Sequence, residues 1–384
     1  MATDITVLIV DDSLLIRELM QEIISDIPGM SVAGTASGGK EALQKLKSAK
    51  PDVVTLDVQM PGMDGLETLD KILATQPTPV IMVSATTQLG ATNTLQALEQ
   101  GAMDYIAKPE GLREAHTTLK NELARKIRSV HGADLDKVLE MRRKRAAARK
   151  ARQAAQANAP KTQLNKSTAS NSASRTESLF AGISVEDKCI AIGISTGGPP
   201  ALAAMFETLS GELPPIVIVQ HMPGNFTKSF ASRLDMISQL TVKEAATGDI
   251  LKPGHAYVAQ GGNHVRIHRN GKSGGKLEVF HDEPVSGHRP SADVMMESAA
   301  RVYGNRCLGI IMTGMGHDGS AGCSNIRKSG GYVLGQDEAS SDVYGMNKVA
   351  FTDGNVDAQF SLENASGMIS KQVKRLWGPA TVNA

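Results

Sequence analysis

The sequence predicts a two-domain α/β protein in which each domain is a doubly wound, mostly parallel sheet. Between residue 5 and about residue 130, short apolar runs alternate with amphipathic helical segments, and from about residue 188 a second such series begins. The runs are rich in β-branched residues and do not alternate with polar ones, which is typical of strands buried on both faces. The 384 residues are enough for two hydrophobic cores.

The first domain is predicted over residues 1–131, with strands at TVLIV, MSVAGT, DVVTLD, PVIMVSA and DYIAK. Asp11 and Asp12 follow the first strand and Asp57 follows VVTL, so three carboxylates are expected at one edge of the sheet. Crowded carboxylates repel one another, and a hard divalent cation usually resolves the repulsion. We therefore expect Mg²⁺ at this edge.

Two further polar residues end the next strands of the first domain. Ser84 ends the fourth strand, and Lys108 ends the fifth, directly before Pro109. A hydroxyl and an ammonium group at this edge would flank an anion on Asp57. Each residue alone has another explanation, since an aspartate after a strand often caps a helix and a Lys-Pro pair is common in surface turns. It is their order on successive strand ends that favours a site.

A basic and polar linker is predicted over residues 132–183. Seven cationic residues of this linker lie in an alanine-rich stretch that predicts a polar helix; they are Arg142, Arg143, Lys144, Arg145, Arg149, Lys150 and Arg152. The following STASNSASRTES is expected to be disordered or extended. The net charge is +1 and no helix-turn-helix or zinc-finger pattern accompanies the run. A solvated linker that also touches an acidic surface is therefore favoured over nucleic-acid binding.

The second domain is predicted over residues 184–384, with strands at CIAIGI, PIVIVQH, HAYVA, CLGIIMT and GYVLG and a β-hairpin between residues 255 and 280. Ser195 follows the first of these strands, and Gly193, Gly197 and Gly198 clear side chains from the turn. The serine hydroxyl is therefore a candidate nucleophile. A capping serine at a tight turn, or a phosphate-binding loop, would fit this segment as well.

A serine nucleophile needs a base within hydrogen-bond reach and a group that orients this base. His221 directly follows the strand PIVIVQ and is the best candidate, while His317 competes and His264 lies in a glycine-rich loop. Asp318, after CLGIIMT, is the candidate orienting carboxylate or else a helix cap. The remaining histidines of the domain are interpreted as core or surface residues; they are His255, His268, His281 and His288.

The order Ser, His, Asp along the chain separates this domain from two common folds. The α/β-hydrolases have the order Ser, Asp, His, so the GISTG segment does not indicate membership of that fold. The dinucleotide-binding fingerprint also fails, because Ser195 stands at its middle glycine and no suitable acidic residue ends the next strand.

Composition predicts a soluble protein of the cytoplasm. The three cysteines, Cys189, Cys307 and Cys323, have no metal-like spacing and indicate a reducing compartment. No apolar run approaches the ~20 residues of a membrane helix, and no signal peptide is evident. We therefore expect no membrane insertion. An aromatic content of 3% leaves few rings to stack on single-stranded nucleic acid.

Residues 4 to 130 resemble the receiver domains of two-component response regulators, through DDS at 11–13, LDVQMPGMDG at 56–65, Ser84 and Lys108-Pro109. The resemblance implies a flavodoxin-like (βα)₅ fold. It further implies that Asp57 accepts a phosphoryl group from a histidine kinase and that Lys108 contacts its oxygens. Ser84 and Tyr105 would sense the modification. The implied Mg²⁺ ligands are Asp11, Asp12, Asp57 and the Gln59 carbonyl.

The segments GISTGGPPAL, VQHMPGNFTKSFASRLD, HRPSADV and MTGMGHDG resemble the catalytic domain of the chemotaxis response-regulator protein-glutamate methylesterases. The resemblance implies Ser195 as nucleophile, His221 as general base and acid, and Asp318 as the group that holds the imidazole. The backbone N–H groups of Thr196 and Met315 would form the oxyanion hole.

Together the two resemblances imply a phosphorylation-regulated, monomeric esterase that acts on glutamyl methyl esters, and on glutamine amides, of chemoreceptors. The esterase needs no cofactor in this interpretation. Two alternatives are a nucleotide-binding and a DNA-binding output domain without esterase activity.

Overall fold

The computed structural model describes residues 4–85, 87–108, 115–158, 180, 183–271 and 274–378. Pro109 and the STASNSASRTES segment of the predicted linker lie outside the described residues. The two predicted sheets are both present, and each is built of parallel strands with helices on its two faces.

The N-terminal sheet has five parallel strands in the order β2-β1-β3-β4-β5. The strands are β1 (Ile5–Val10), β2 (Met30–Ala36), β3 (Val53–Asp57), β4 (Val80–Ser84) and β5 (Asp104–Ala107). The helices are α1 (Leu14–Ser25), α2 (Gly39–Ala49), α3 (Gly65–Thr75), α4 (Gln88–Gln100) and α5 (Ala115–His131). The predicted (βα)₅ fold is confirmed, and β1 and β3, whose ends carry the aspartates, are neighbours.

The C-terminal sheet has seven parallel strands in the order β14-β13-β12-β6-β7-β9-β8. The strands are β6 (Cys189–Ile194), β7 (Ile216–Gln220), β8 (Thr241–Glu244), β9 (His255–Val258), β12 (Cys307–Ile311), β13 (Tyr332–Gln336) and β14 (Ala358–Phe360). The helices are α7 (Gly198–Phe206), α8 (Gly224–Ile237), α9 (Ala292–Tyr303), α10 (Ser320–Lys328), α11 (Met346–Thr352) and α12 (Ala365–Trp377), with short 3₁₀ turns at Gly304–Arg306 and Leu362–Asn364. The central strand β6 lies between β12 and β7, so three loops meet at its carboxyl end.

The predicted hairpin is shorter than the segment that suggested it. Strands β10 (His264–Asn270) and β11 (Gly274–Phe280) pair antiparallel and form a separate two-stranded sheet. The run HAYV instead forms β9 of the main sheet, beside β8. The sequence analysis did not predict β8 or β14, because β8 alternates exposed with less exposed residues at a sheet edge and β14 is three residues long.

The predicted polar helix of the linker is α6 (Leu135–Asn158). Val138 and Leu139 on its first turns are buried, and Leu139 packs beside Gly101 of the first domain. Arg142 is 8% exposed, which contradicts the expectation of a solvated basic face at this position. Amphipathic packing, which the arginine-rich composition obscures, therefore joins this part of the chain to the folded domains. None of the helices in the described ranges has the length and apolarity needed to cross a membrane.

Candidate active site

The predicted nucleophile lies at the carboxyl end of the central strand β6. Ser195 is 3% exposed, and its backbone N–H donates to the Thr313 carbonyl (2.9 Å) from the loop after β12. Gly197 has a φ of +77°, which favours glycine. A Cβ on Gly198 would lie 2.0 Å from the side-chain oxygen of Gln220. The glycines therefore allow the turn to pass close to the neighbouring strand.

Gln220, the last residue of β7, supports this turn, and the sequence analysis overlooked it. Its Nε2 donates to the Ser195 carbonyl (3.0 Å) and to the His221 carbonyl (3.2 Å). The side chain is 2% exposed. One amide thus ties the backbones of the predicted nucleophile and the predicted base. A polar residue at the end of an otherwise apolar strand was the available signal.

His221 and Asp318 form the pair predicted from the strand ends. His221 Nε2 lies 2.7 Å from Asp318 Oδ2, and both side chains are buried. The other ring nitrogen, Nδ1, is buried and has no hydrogen-bond partner among the described residues. Nδ1 is therefore the nitrogen left to exchange a proton with a nucleophile or a substrate.

Asp318 is held ionised by donors at the start of α9. Ser291 Oγ donates to its Oδ1 (2.6 Å), and the Ala292 backbone N–H donates to its Oδ2 (2.7 Å). Burial alone would raise the pKa of Asp318, but the hydrogen bonds from His221, Ser291 and Ala292 lower it well below its usual range. The sequence analysis missed Ser291, although a serine three residues before Val294 has the spacing of a helix cap.

The predicted oxyanion-hole residues lie on the two loops that meet at Ser195. A Cβ on Gly314 would be 2.7 Å from the Ser195 Cβ, so Met315 follows a point of close contact. Thr313 Oγ1 donates to the Thr196 carbonyl (3.0 Å) and so holds the Thr196–Gly197 peptide. Within the described part of the chain, neither the Thr196 nor the Met315 backbone N–H donates a hydrogen bond. The roles of Thr196 and Met315 in an oxyanion hole therefore stay a prediction.

The predicted nucleophile and the predicted base are not joined to each other: among the hydrogen bonds of the described residues, none connects Ser195 Oγ with His221. The His221 ring instead stacks on His288, with ring centroids 3.6 Å apart and planes inclined by 6°. Burial, together with the neighbouring His221 and Arg125, lowers the pKa of His288, so this second ring is neutral. His288, which the sequence analysis set aside as a core or surface residue, is part of the site.

The two competing histidines lie elsewhere. His317 is exposed and lines a separate cavity of about 430 Å³ together with Asp293. His264 is buried and its Nε2 lies 3.0 Å from the Glu283 carbonyl, which is a structural contact. The choice of His221 from its strand-end position agrees with this arrangement.

The three aspartates predicted at the first sheet edge lie together. One carboxylate oxygen each from Asp11, Asp12 and Asp57 falls within 4.8 Å of the others. Lys108 Nζ lies 2.8 Å from both Asp11 Oδ2 and Asp57 Oδ2. Burial and the Asp11 charge raise the pKa of Asp57 against the opposing effect of Lys108. The pKa of Lys108 is raised, because its bonds to the two carboxylates outweigh its burial.

Gln59 and Ser84 lie at this sheet edge, whereas Tyr105 lies at the boundary between the two domains. The Gln59 backbone N–H donates to Asp57 Oδ1 (3.2 Å), and Ser84 is buried at the end of β4. Tyr105 is buried at the boundary between the two domains, with its ring centroid 4.8 Å from that of Phe226 in α8. The predicted switch residue therefore contacts the C-terminal domain directly.

The N-terminal domain forms one wall of the cleft that contains Ser195 and His221. The cleft has a volume of about 630 Å³, and residues of α5 line it opposite the serine. Asp104, the first residue of β5, accepts a hydrogen bond from Thr196 Oγ1 (2.6 Å). Arg125 Nη1 lies 3.4 Å from His288 Nε2. The sequence analysis predicted neither contact, since each joins residues far apart in the chain.

Arg142 of α6 bonds to both domains. Its Nη1 donates to the carbonyls of Leu98 and Ala102 (both 2.9 Å), and its Nη2 donates to Asp342 Oδ2 (2.6 Å). A Cβ on Gly197 would lie 2.6 Å from the Asp342 Cβ, so this ion pair packs against the nucleophile turn. The arginine-rich helix therefore contacts an acidic side chain, as predicted, but in a buried position.

Comparison with known proteins assigns both domains. Residues 190–369 match a family described as CheB methylesterase, and residues 7–120 match one described as response regulator receiver domain. A protein-glutamate methylesterase/protein-glutamine glutaminase 2 from Pseudomonas aeruginosa is 42% identical over 372 residues, which is 97% of each chain. A protein-glutamate methylesterase/protein-glutamine glutaminase from Chromohalobacter salexigens is 40% identical over 96% of each chain.

Among solved structures, the catalytic domain of the Thermotoga maritima CheB methylesterase is 35% identical, with a TM-score of 0.47, and the match covers 48% of this chain and 98% of that one. The family resemblance predicted from the sequence is confirmed by relatives that match nearly the whole chain. With 42% identity over 97% of its length and both domains matched in the predicted order, the chain belongs to the CheB-type protein-glutamate methylesterases, in which a receiver domain precedes a methylesterase domain.

Proposed function

We propose that this protein hydrolyses γ-glutamyl methyl esters on chemoreceptors, with Ser195 as the nucleophile, His221 as the general base and acid, and Asp318 as the group that orients His221. The observation that carries the proposal is the 2.7 Å bond between His221 and Asp318 beside a glycine-flanked serine. The unpartnered Nδ1 of His221 supplies the proton acceptor that a serine requires.

In the first step, His221 Nδ1 takes the Ser195 proton as Oγ attacks the ester carbonyl. The oxyanion that develops accepts hydrogen bonds from the Thr196 and Met315 backbone N–H groups. Such a donor acts mainly on the transition state and is typically worth ~3 kcal/mol. His221 then returns the proton to the departing methoxide, and methanol leaves an acyl-enzyme on Ser195.

In the second step, His221 removes a proton from a water molecule that attacks the acyl-enzyme, and the glutamate carboxylate is released as Ser195 regains its proton. A glutamine side chain follows the same path with ammonia as the leaving group. The glutaminase activity in the names of the relatives therefore needs no second site.

The direct test is methanol release from methylated receptor membranes by wild type, S195A and the matched control S232A. Ser232 is an exposed serine of α8 outside the cleft. S195A should release no methanol while it retains the melting temperature of wild type, and S232A should retain full activity. Wild-type turnover by S195A would refute the assignment.

We further propose that Asp57 accepts a phosphoryl group from a histidine kinase. Asp11, Asp12 and Asp57, with the Gln59 carbonyl, are suited to hold Mg²⁺, because clustered carboxylates with one exposed member match a cation that keeps several waters. When bound, Mg²⁺ supplies positive charge opposite the phosphoryl oxygens. Lys108 supplies a second cation at the same oxygens.

The unmodified receiver domain restricts access to Ser195 in this proposal. Asp104 and Tyr105 open β5, and Lys108 directly follows its last residue, so one short strand joins the phosphorylation site to the domain boundary. Phosphorylation adds about −1.5 to −2 charge beside Lys108. Ser84 and Tyr105 then shift, and the contacts of Asp104 with Thr196 loosen. Receptor helices gain entry to the cleft as a result.

The same chemistry supports proposals about where the protein acts and in what oligomeric state. Chemoreceptors carry the substrate glutamates on cytoplasmic helices, so we propose that the protein acts in the cytoplasm. We also propose that the protein is a monomer, because Ser195, His221 and Asp318 all come from one chain.

A further inference from the structure

The N-termini of α9 and α10 exchange their capping carboxylates. Asp318 precedes α10, yet its carboxylate accepts the backbone N–H groups of Ala292 (2.7 Å) and Asp293 (3.1 Å) at the start of α9. Asp293 lies in the first turn of α9, yet its Oδ1 accepts the N–H groups of Gly319 (2.9 Å) and Gly322 (2.7 Å) at the start of α10. The start of each helix therefore donates to a carboxylate at the start of the other, and α9 has its own N-cap, Ser291, as well.

Helix α10 depends on this external cap. Its own N-cap position is Gly319, which has a φ of +95° and no side chain to offer. The φ of +95° disfavours a capping serine or aspartate at this position, and a Cβ there would also lie 2.6 Å from Ile311 Cδ1. Gly322 allows the helices to pack closely, since a Cβ on it would lie 2.6 Å from the Met296 Cβ. Asp293 supplies the acceptor that α10 lacks.

This exchange also holds the backbone beside Asp318, the carboxylate proposed to orient His221. Gly319, whose N–H donates to Asp293, is the residue directly after Asp318. The Asp293 side chain therefore holds the backbone next to Asp318, in addition to the bonds that Ser291 and Ala292 donate to the Asp318 carboxylate itself. Asp293 itself touches neither His221 nor the cleft, and it lines a separate cavity of about 430 Å³.

We propose that Asp293 is a positioning residue for the methylesterase reaction, in which its two hydrogen bonds to α10 hold Asp318 at bonding distance from His221. The inference rests on the proposed role of Asp318. Positioning requires an acceptor oxygen at Asp293 and does not require a charge. D293N should therefore keep Asp318 in position, and D293A should not.

The experiment measures kcat and KM for methanol release by the full-length chain in the presence of a phosphodonor. D293A should lower kcat by about 10- to 100-fold with KM unchanged, because an ångström of displacement of a catalytic group can cost 10²-fold. D293N should stay within about 3-fold of wild type. In D293A, the downfield proton resonance of the His221–Asp318 hydrogen bond should broaden or shift, and in D293N it should persist.

The matched control is D235A, which removes another aspartate that accepts a backbone N–H, that of Val242 (2.7 Å), at the far end of α8. It should lower the melting temperature and leave kcat unchanged. If D293A fails to fold, D293S, which offers one shorter acceptor, should have a lower kcat than D293N. A wild-type kcat in D293A or D293S, or an equal loss of kcat in D235A, would overturn the proposal.

The outcome for D318N separates this inference from the proposed function. If D318N loses activity and D293A does not, Asp293 has no positioning role and the triad stands. If D318N retains wild-type kcat, the proposed function fails, whatever the Asp293 variants show.

Discussion

Asp57 and Asp318 are both buried carboxylates at the carboxyl edge of a parallel sheet, and their pKa values shift in opposite directions. Burial and the nearby Asp11 raise the pKa of Asp57, although Lys108 opposes this. Burial would also raise the pKa of Asp318, but hydrogen bonds from His221 and the start of α9 outweigh it and lower the pKa. Burial alone therefore does not decide the charge of either group.

The number of dedicated donors makes the difference. Asp318 accepts from a hydroxyl, two backbone N–H groups and an imidazole, so its charge is fixed. Asp57 accepts one backbone N–H and shares the Lys108 ammonium with Asp11. The first arrangement suits a permanent counter-ion for an imidazolium. The second suits a carboxylate that exchanges partners when it is modified.

The strongest test of this comparison replaces each carboxylate by an amide of the same shape. D318N should lower kcat for methanol release by roughly 10⁴-fold, because the amide cannot hold the imidazole in the required tautomer. D57N should leave the basal kcat unchanged and abolish the stimulation by a phosphodonor. Methanol release with and without the phosphodonor measures both effects.

The two variants serve as controls for each other, since each keeps the other domain intact. A D57N protein that has lost basal esterase activity would show that the receiver carboxylate is needed for more than regulation. A D318N protein that is still stimulated from a normal basal rate would remove Asp318 from the triad.

The main residues of the two sites could be predicted from the sequence because they lie at strand ends. Asp11, Asp57 and Lys108 each follow a strand of a sheet with simple strand order, so position alone places them together. Ser195, His221 and Asp318 were also predicted from strand ends, and the structure brings them to one edge. Such proximity can be predicted because parallel strands present their carboxyl ends at one edge.

The supporting residues could not be found in this way. Gln220 and Asp293 bond to backbone groups of other elements, and the sequence does not show which backbone groups fold against them. The contacts of Arg142 join Leu98 to Asp342 across the domain boundary, so they depend on the relative pose of the domains. Composition predicted the arginine-rich helix. It also indicated a solvated basic face, whereas Arg142 forms a buried ion pair with Asp342.

This ion pair offers a test of how the receiver holds the catalytic domain. We expect R142A to raise the basal esterase rate, without phosphodonor, by about 10-fold, a coupling typical of regulated proteins. The substitution removes the bonds that link two receiver carbonyls to Asp342 beside the nucleophile turn. The rate at full phosphorylation should not change. The matched control is R143A, an exposed arginine of the same helix, which should behave as wild type.

Two results would contradict this view of Arg142. An unchanged basal rate in R142A, with stimulation intact, would show that the ion pair carries no inhibition. A lower rate in both the basal and the phosphorylated state would show that Arg142 supports the nucleophile turn itself, because Asp342 packs against Gly197.

The smallest expected effect is a change in stability when Asp293 is substituted. Its carboxylate shares features with both Asp318 and Asp57. Like Asp318 it accepts two backbone N–H groups, and like Asp57 it lies beside a second carboxylate. Burial and the Asp318 charge raise its pKa to about 6. The folded state therefore binds this proton more tightly than the unfolded state, so the stability contribution is full below pH 3.8 and is lost as the pH rises through about 6.

D293N should remove this dependence. Because water screens the partly exposed carboxyl group, we expect a gain over wild type of about 1 kcal/mol, or about 2–4 °C in Tm, at pH 7.5. The gain should shrink as the pH falls from 7.5 to 4, since wild-type Asp293 then becomes protonated and neutral as well. Thermal unfolding of both proteins across this range measures the difference. A gain that does not vary with pH would mean that the gain does not come from ionisation of Asp293. A loss at pH 7.5 would mean that the bonds to α10 stabilise the charged form more than Asp318 repels it, and Asp293 would then belong with Asp318 and not with Asp57.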